Sequence, residues 1–276
     1  MEMTRRAWVA AGAGAIAAAK KSGGLRIGVT DWNLKMRGQL EAIDFGKSLG
    51  FEGVEVSLSR VPDAEPLLLD ERELQDRYLA AAANHKMRIA GTCLLHLNQI
   101  CLVSEKLAQK WLASGIGITA RLKARVILIP FFTKCELKTP EQADTLVGIL
   151  KEHAPAAEKA GVMLGLENYL SAEDNMRIMD RVGSKAVRVY YDVKNATDAG
   201  FDPVKELRWL GSARICQIHL KDKGYLGEGV VNFPAVIKAI EDIGYQGFAN
   251  LETNWPSGSV ADDMRKNLSY IRGLMR

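Results

Sequence analysis

From Leu25 onward, short apolar runs alternate with longer amphipathic stretches, eight times in succession. The runs are Leu25–Thr30, Gly53–Leu58, Arg88–Leu95, Val126–Pro130, Val162–Glu167, Ala186–Asp192, Arg214–Leu220 and Gly247–Glu252. Each is about as long as a strand buried on both faces and nearly continuous in its apolarity. The segments between them carry helical spacing, as in Glu71–His85, and in Leu146, Ile149 and Leu150 followed by Ala154, Ala157 and Ala160. Thr139-Pro140-Glu141 and Asp202-Pro203 read as helix starts, with a capping side chain and a proline in the first turn. Gly50, Gly161, Gly211 and Gly244 read as stops. Eight such steps with no long antiparallel section predict an α/β chain folded as a single (β/α)8 TIM barrel, a fold of ~250 residues. An open doubly wound sheet is the competing architecture. It would want a glycine-rich turn after its first strand, and none follows Thr30.

Residues 1–24 have a different character. Arg5-Arg6 precede a 13-residue run of mostly Ala and Gly, Ala7–Ala19, which is too short for the ~20 residues a membrane span needs. Small residues, Ala17-Ala18-Ala19, end the run, and Lys20-Lys21 follow. This is the pattern of a twin-arginine export signal, and it predicts a periplasmic or secreted protein with the barrel over 25–276. An alanine-rich leading helix on a cytoplasmic protein is the alternative.

The 276 residues are 47% hydrophobic and 25% charged, which suits a large packed core. A formal charge of +4, spread through mixed acids and bases, gives no basic patch of the kind nucleic acid selects. No nucleic-acid partner and no membrane span are expected; a homo-oligomer is compatible with the chain. Cys93, Cys101, Cys135 and Cys216 show neither CxxC nor zinc-type spacing. With so large a core, a disulfide framework is not expected.

Four of the apolar runs stop on metal-competent side chains: LGLENY at Glu167, YYDVKN at Asp192, QIHLKD at His219 and ANLETN at Glu252. Positions 167, 192, 219 and 252 are 25, 27 and 33 residues apart, close to one strand–helix–strand step of ~30 residues. Successive strands five to eight therefore deliver three carboxylates and an imidazole to the C-terminal mouth of the barrel, where active sites of this fold lie. Any one of these residues alone would more often be a cap, a salt-bridge partner or a hydrogen-bonded core group. Four at matched strand ends are different, because burying three carboxylates together without a cation is costly. Three oxygens and one nitrogen suit one divalent ion, with Mn²⁺ preferred and Mg²⁺, Co²⁺ or Zn²⁺ compatible.

With this ligand set, plus Glu167-Asn168, His219-Leu220-Lys221-Asp222, Gly227-Glu228-Gly229, Asn232-Phe233 and Gly244-Tyr245-Gln246-Gly247, the chain resembles the xylose isomerase-like barrels over roughly Leu25 to Arg276. The likeness is to their sugar isomerases and epimerases of the tagatose-3-epimerase type. It implies a metal that holds the carbonyl and a neighbouring hydroxyl of a keto-sugar, with Glu167 and Glu252 as the proton-transferring pair and an enediolate between them. Asp192 and His219 mainly hold the ion. Members often place a histidine three residues after the strand-six aspartate. Here Asn195 stands there and cannot titrate near neutrality, which bears on substrate or reaction.

Further candidates for substrate contact are Trp32, a stacking surface after strand one, Glu55, taken to end strand two, and His96 after strand three. Lys221, Asp222 and Glu228 lie in the segment after strand seven. For Glu55 a salt bridge inside the barrel is an equal alternative. His85 and His153 fall on helices, at the surface. A metal-dependent lyase or dehydratase acting on a keto-sugar, keto-glycoside or inosose is the alternative reaction, and a noncatalytic sugar-binding barrel the third.

Overall fold

A computed structural model describes residues 24–275. The export signal expected within 1–24 lies almost wholly outside these residues. Eight parallel strands close into one barrel in sequence order: β1 Arg26–Thr30, β2 Gly53–Ser57, β3 Arg88–Cys93, β4 Val126–Pro130, β5 Met163–Glu167, β6 Val187–Asp192, β7 Ile215–Leu220 and β8 Phe248–Leu251. β8 returns to pair with β1, aligning Ile27 with Ala249. The helices outside are α1 Ala42–Leu49, α2 Arg72–Asn84, α3 Lys106–Arg121, α4 Pro140–Ala160, α5 Ala172–Val182, α6 Val193–Asp198, α7 Pro203–Leu210, α8 Phe233–Asp242 and α9 Val260–Leu274. Among the described residues no helix is long and apolar enough to cross a membrane.

Local chemistry explains the punctuation. The Thr139 side chain accepts from the Gln142 N–H while Gln142 reaches back, a reciprocal cap that starts α4 at Pro140. Asp202 caps α7 in the same region of its sequence signal. Gly50 and Gly161 end α1 and α4 at φ of 96° and 70°, where a Cβ would be strained. β3 stops two residues earlier than its apolar run, because Leu94 leaves the extended region and a single 3₁₀ turn, Leu95–Asn98, begins.

Strand pairing slips by one residue at two places, between Val54 and Glu55 on the β2–β3 pair and between Val189 and Tyr190 on the β6–β7 pair. Bulges of this kind re-aim side chains. Glu55 and Tyr190 are hydrogen-bonded to each other across the barrel interior.

The cysteine expectation needs correcting. Cys93 and Cys216 are buried free thiols, but Cys101 and Cys135 form a disulfide. Cys101 follows the turn after β3 and Cys135 closes the short turn after β4. Neighbouring strands thus carry neighbouring loops, whose Cα atoms stand 5.0 Å apart.

Candidate metal centre

The ends of β5 to β8 bring Glu167, Asp192, His219 and Glu252 together, each with one ligand-competent atom within 4.8 Å of the others. Glu167 is the last residue of β5 and Asp192 the last of β6. Glu252 follows β8 by one residue, its N–H donating to the Leu220 carbonyl at 3.1 Å, which keeps it in the barrel rim. His219 sits one residue before the end of β7 and is fully buried. Its Nδ1 lies 2.9 Å from Glu167 Oε1 and 3.8 Å from Glu252 Oε2.

Three of the four side chains are held from outside the cluster, and Glu167 is held within it by His219. Asp192 Oδ1 accepts the N–H groups of Lys194 and Asn195 at 2.7 and 2.9 Å, making the carboxylate the N-cap of α6. Its Oδ2 is buried and has no hydrogen-bond partner in the protein. Glu252 accepts from Trp32 Nε1 at 2.9 Å and from Lys221 Nζ at 2.7 Å. His219 Nε2 faces Glu55 Oε2 at 3.0 Å, so Nδ1 is the nitrogen turned toward the carboxylates. An imidazole anchored through one nitrogen by a carboxylate is the usual support of a metal-ligating histidine.

The electrostatics divide the two glutamates. Burial drives the Glu167 carboxyl above its ordinary range, and the attraction of His219 only partly offsets it. Burial also acts on Glu252, but Lys221, His219 and the Trp32 hydrogen bond outweigh it and hold the carboxylate below the usual range. Asp192 is pushed up, by burial first, against the pull of Lys221. Lys221 and His219 both rise: burial opposes their charge, and the surrounding carboxylates overcome it. Three carboxylates thus share one imidazole and one ammonium, and Asp192 keeps an orphaned buried oxygen. A divalent cation fits this donor set and would supply the missing partner.

The remaining sequence candidates divide. Trp32 and Lys221 are in the centre, both on Glu252. Trp32 also meets the His219 ring edge-on, centroids 6.0 Å apart. Asn195 is buried in the first turn of α6, beside Asp192. Glu55 does not end β2: it lies mid-strand, fully buried under His219, and Oε2 accepts from His219, Tyr190 and Asn250. The in-barrel alternative describes its position, because an inward-facing residue two before the strand end sits one layer below the mouth. His96 is buried behind the rim, lining a small space with Leu58, Ser59, Leu67, Leu94, Leu95 and Trp111. Both oxygens of Asp222 are spent on the β7–α8 loop, where they accept the N–H groups of Lys223, Gly227, Gly229 and Val230. A Cβ on Gly229 would stand 1.9 Å from Asp222 Oδ1, so this motif closes a loop around a carboxylate. Glu228 points outward to Lys266, 2.9 Å away at the surface. His85 and His153, expected at the surface, are each only partly exposed, and His85 pairs with Asp44.

Tyr190 and Asn250 escaped the sequence reading. Both stand two residues before a ligand, on the same face of the strand, and they form a polar layer with Glu55 beneath the metal-competent one. That i−2 parity was the available signal. Gly28 makes room for the layer, since a Cβ there would stand 2.1 Å from Asn250 Oδ1.

The chain matches a sequence family described as the xylose isomerase-like TIM barrel over residues 43–274. It is 26% identical over 202 residues, 71% of this chain and 72% of the other, to the 2-epi-5-epi-valiolone 7-phosphate 2-epimerase of Actinoplanes sp.. Among solved structures it is similar to D-psicose 3-epimerase with D-tagatose from Clostridium cellulolyticum H10, with a TM-score of 0.76, 16% identity, and coverage of 91% of this chain and 100% of the other. The IOLI protein with a bound zinc atom gives a TM-score of 0.72 at 16% identity over 91% and 98% of the two chains. The four metal-competent strand-end side chains, the closed barrel and the match over residues 43–274 agree: this chain belongs to the xylose isomerase-like TIM barrel family.

Proposed function

We propose that the protein is a metal-dependent sugar isomerase or epimerase that moves a proton α to the carbonyl of a keto-sugar or related polyol ketone. The observation that carries this reading is the pair of unlike glutamates, both reaching the same imidazole nitrogen within one donor set. Opposed environments for two titratable groups are the arrangement that separates an acid from a base. The epimerase relative over 72% of its length and the sugar epimerases among the structural neighbours support an enzyme of this class.

Glu167, Asp192, His219 and Glu252 would hold the ion, with Mn²⁺ preferred on the donor set. When bound, a divalent ion supplies Lewis-acid polarisation of a carbonyl, which acidifies the adjacent C–H. Glu252, kept ionised by Lys221 and Trp32, takes that proton and leaves an enediolate of the substrate. Glu167, on the other flank of the cluster, returns a proton to the other face. In the reverse direction the roles exchange. Lys221 moderates the charge that passes to Glu252, and Trp32 walls the cluster beside His219.

A lyase or dehydratase outcome is the second reading, favoured by Asn195 beside Asp192, where its amide could hydrogen-bond a substrate hydroxyl but could not titrate near neutrality. Incubating the metal-loaded protein with a panel of keto-sugars separates the two. The proposed function expects a stereoisomer or positional isomer of unchanged mass, whereas a product lighter by water or by an aglycone would replace it with the lyase.

The same reading places the protein outside the cytoplasm, supported by the twin arginine at residues 5 and 6 and by a disulfide at the rim, of the kind oxidising compartments preserve. Arg5→Lys/Arg6→Lys should leave the protein in the cytoplasmic fraction of cells that otherwise export it. Equal periplasmic yield from both forms would refute export by this route.

A further inference from the structure

Opposite the metal centre, at the N-terminal end of the barrel, a cavity of about 540 Å³ opens between the first residues of β1, β3, β4, β5 and β8. Arg26, Arg88, Lys123 and Arg125 line it, and among the described residues no carboxylate does. Arg88, Lys123 and Arg125 are exposed and Arg88 lies close enough to Arg26 to lower its pKa, so a bound anion would relieve repulsion around the cavity. Glu52 offsets part of this charge beside Arg26, and its Oε1 also accepts the Ile27 N–H at 3.2 Å.

Arg26 supplies a second, independent sign. Its guanidinium is fixed 4.4 Å over the Phe248 ring, its Nη2 makes only a 3.5 Å contact with the Gln246 carbonyl, and its Nε is buried with no partner. Arg26 is half-buried, and a buried N–H such as its Nε is costly unless an acceptor reaches it. The floor adds another unpaired group: Gln217 is 1% exposed, its Nε2 donates to the Ala90 carbonyl, and its Oε1 has no partner. Met163, Ile89 and Phe248 make much of the rest apolar. The wall is therefore cationic, and the floor is apolar with one free acceptor.

We infer that this cavity is a second binding site, distinct from the metal centre, for a small organic phosphate monoester. Its phosphate would lie among Arg26, Arg88 and Arg125, and its body would cover Phe248 and Met163. Guanidinium forks match the tetrahedral oxyanion, and a dianion suits several cations better than a monocarboxylate does. The volume falls in the range of ordinary small-molecule sites. The inference does not depend on the proposed isomerase chemistry, because none of these residues reaches the metal-competent cluster.

Calorimetric titration of the full-length, metal-loaded protein with phenyl phosphate tests it. Saturable binding is expected, weakened at least tenfold in Arg88→Ala/Arg125→Ala, unchanged in Glu252→Gln, and at least tenfold tighter than inorganic phosphate. Arg88 and Arg125 are exposed, so their removal should leave the fold and metal content as in the parent. Absence of saturable binding would overturn the site. So would binding that survives the double substitution, is lost in Glu252→Gln, or is matched by inorganic phosphate.

Discussion

At the scale of single residues, the most consequential side chain outside the metal-competent set is Glu55. It gathers three donors, His219, Tyr190 and Asn250, on one oxygen inside a sealed barrel. It thereby fixes which imidazole nitrogen faces the carboxylates. Loss of such outer support usually costs a metal site 10–100-fold in affinity. Glu55→Gln should weaken binding of Mn²⁺ by about that factor, measured by competition with a chelating dye. Glu55→Asp, too short to reach Nε2 but still anionic, should not restore it. Unchanged affinity in Glu55→Gln would remove Glu55 from the account.

Asp31 gives a pH prediction that is independent of the metal. It is fully buried beyond β1 and accepts from the Ser57 N–H, the Ser57 hydroxyl and the Gly38 N–H. Burial nevertheless exceeds these three bonds and lifts its carboxyl to about 7. The folded protein then holds a proton that the unfolded chain releases near pH 4, so this group's contribution falls as pH rises from about 4 to 7 and is flat above. A rise of this size corresponds to roughly 4 kcal/mol in total. Asp31→Asn keeps an acceptor for the two N–H groups and can donate to the Ser57 hydroxyl. Urea unfolding at pH 5 and pH 8 should show a smaller loss of stability for Asp31→Asn than for the parent. Equal losses would mean that Asp31 is ionised throughout.

At the scale of elements, the ends of β5 to β8 were legible because an apolar run that stops on a carboxylate or imidazole shows both the strand and its mouth. The layer beneath was hidden inside those same runs. Tyr190 and Asn250 look like ordinary strand residues until the inward face is assigned, and Glu55 reads as the end of β2 although the strand runs on to Ser57. Asp222 and Glu228 share a motif with Lys221, yet the loop turns one inward to bind its own backbone and sends the other to Lys266. That division depends on the path of the loop. The Cys101–Cys135 bridge was missed for a similar reason. Their separation of 34 residues is about one strand–helix–strand step, which brings the loops after β3 and β4 side by side, but it resembles no cysteine motif. Closing a loop of that length restricts the unfolded chain by about 3–4 kcal/mol. Cys101→Ser/Cys135→Ser should therefore unfold at lower denaturant than the oxidised parent, with the gap vanishing when the parent is reduced. A gap that persists under reduction would assign the loss to packing around the serines instead.

At the scale of the whole molecule, the closed parallel barrel sets two unlike ends. The C-terminal mouth collects three carboxylates, an imidazole and an ammonium, and the N-terminal end collects cations around an apolar floor. Between them lies the polar layer of Glu55, Tyr190 and Asn250, which fixes the upper cluster from below. The central claim is that the upper cluster transfers a proton through Glu167 and Glu252. Its most direct test is deuterium incorporation when the Mn²⁺-loaded protein is incubated with keto-sugars in D₂O. Deuterium should appear at the carbon next to the carbonyl. Formation of the isomer should fall by at least about 10²-fold in both Glu167→Gln and Glu252→Gln, with the fold intact by circular dichroism. Isomer formation that persists undiminished in either variant, or the absence of deuterium incorporation by the metal-loaded parent with every sugar tried, would contradict the account.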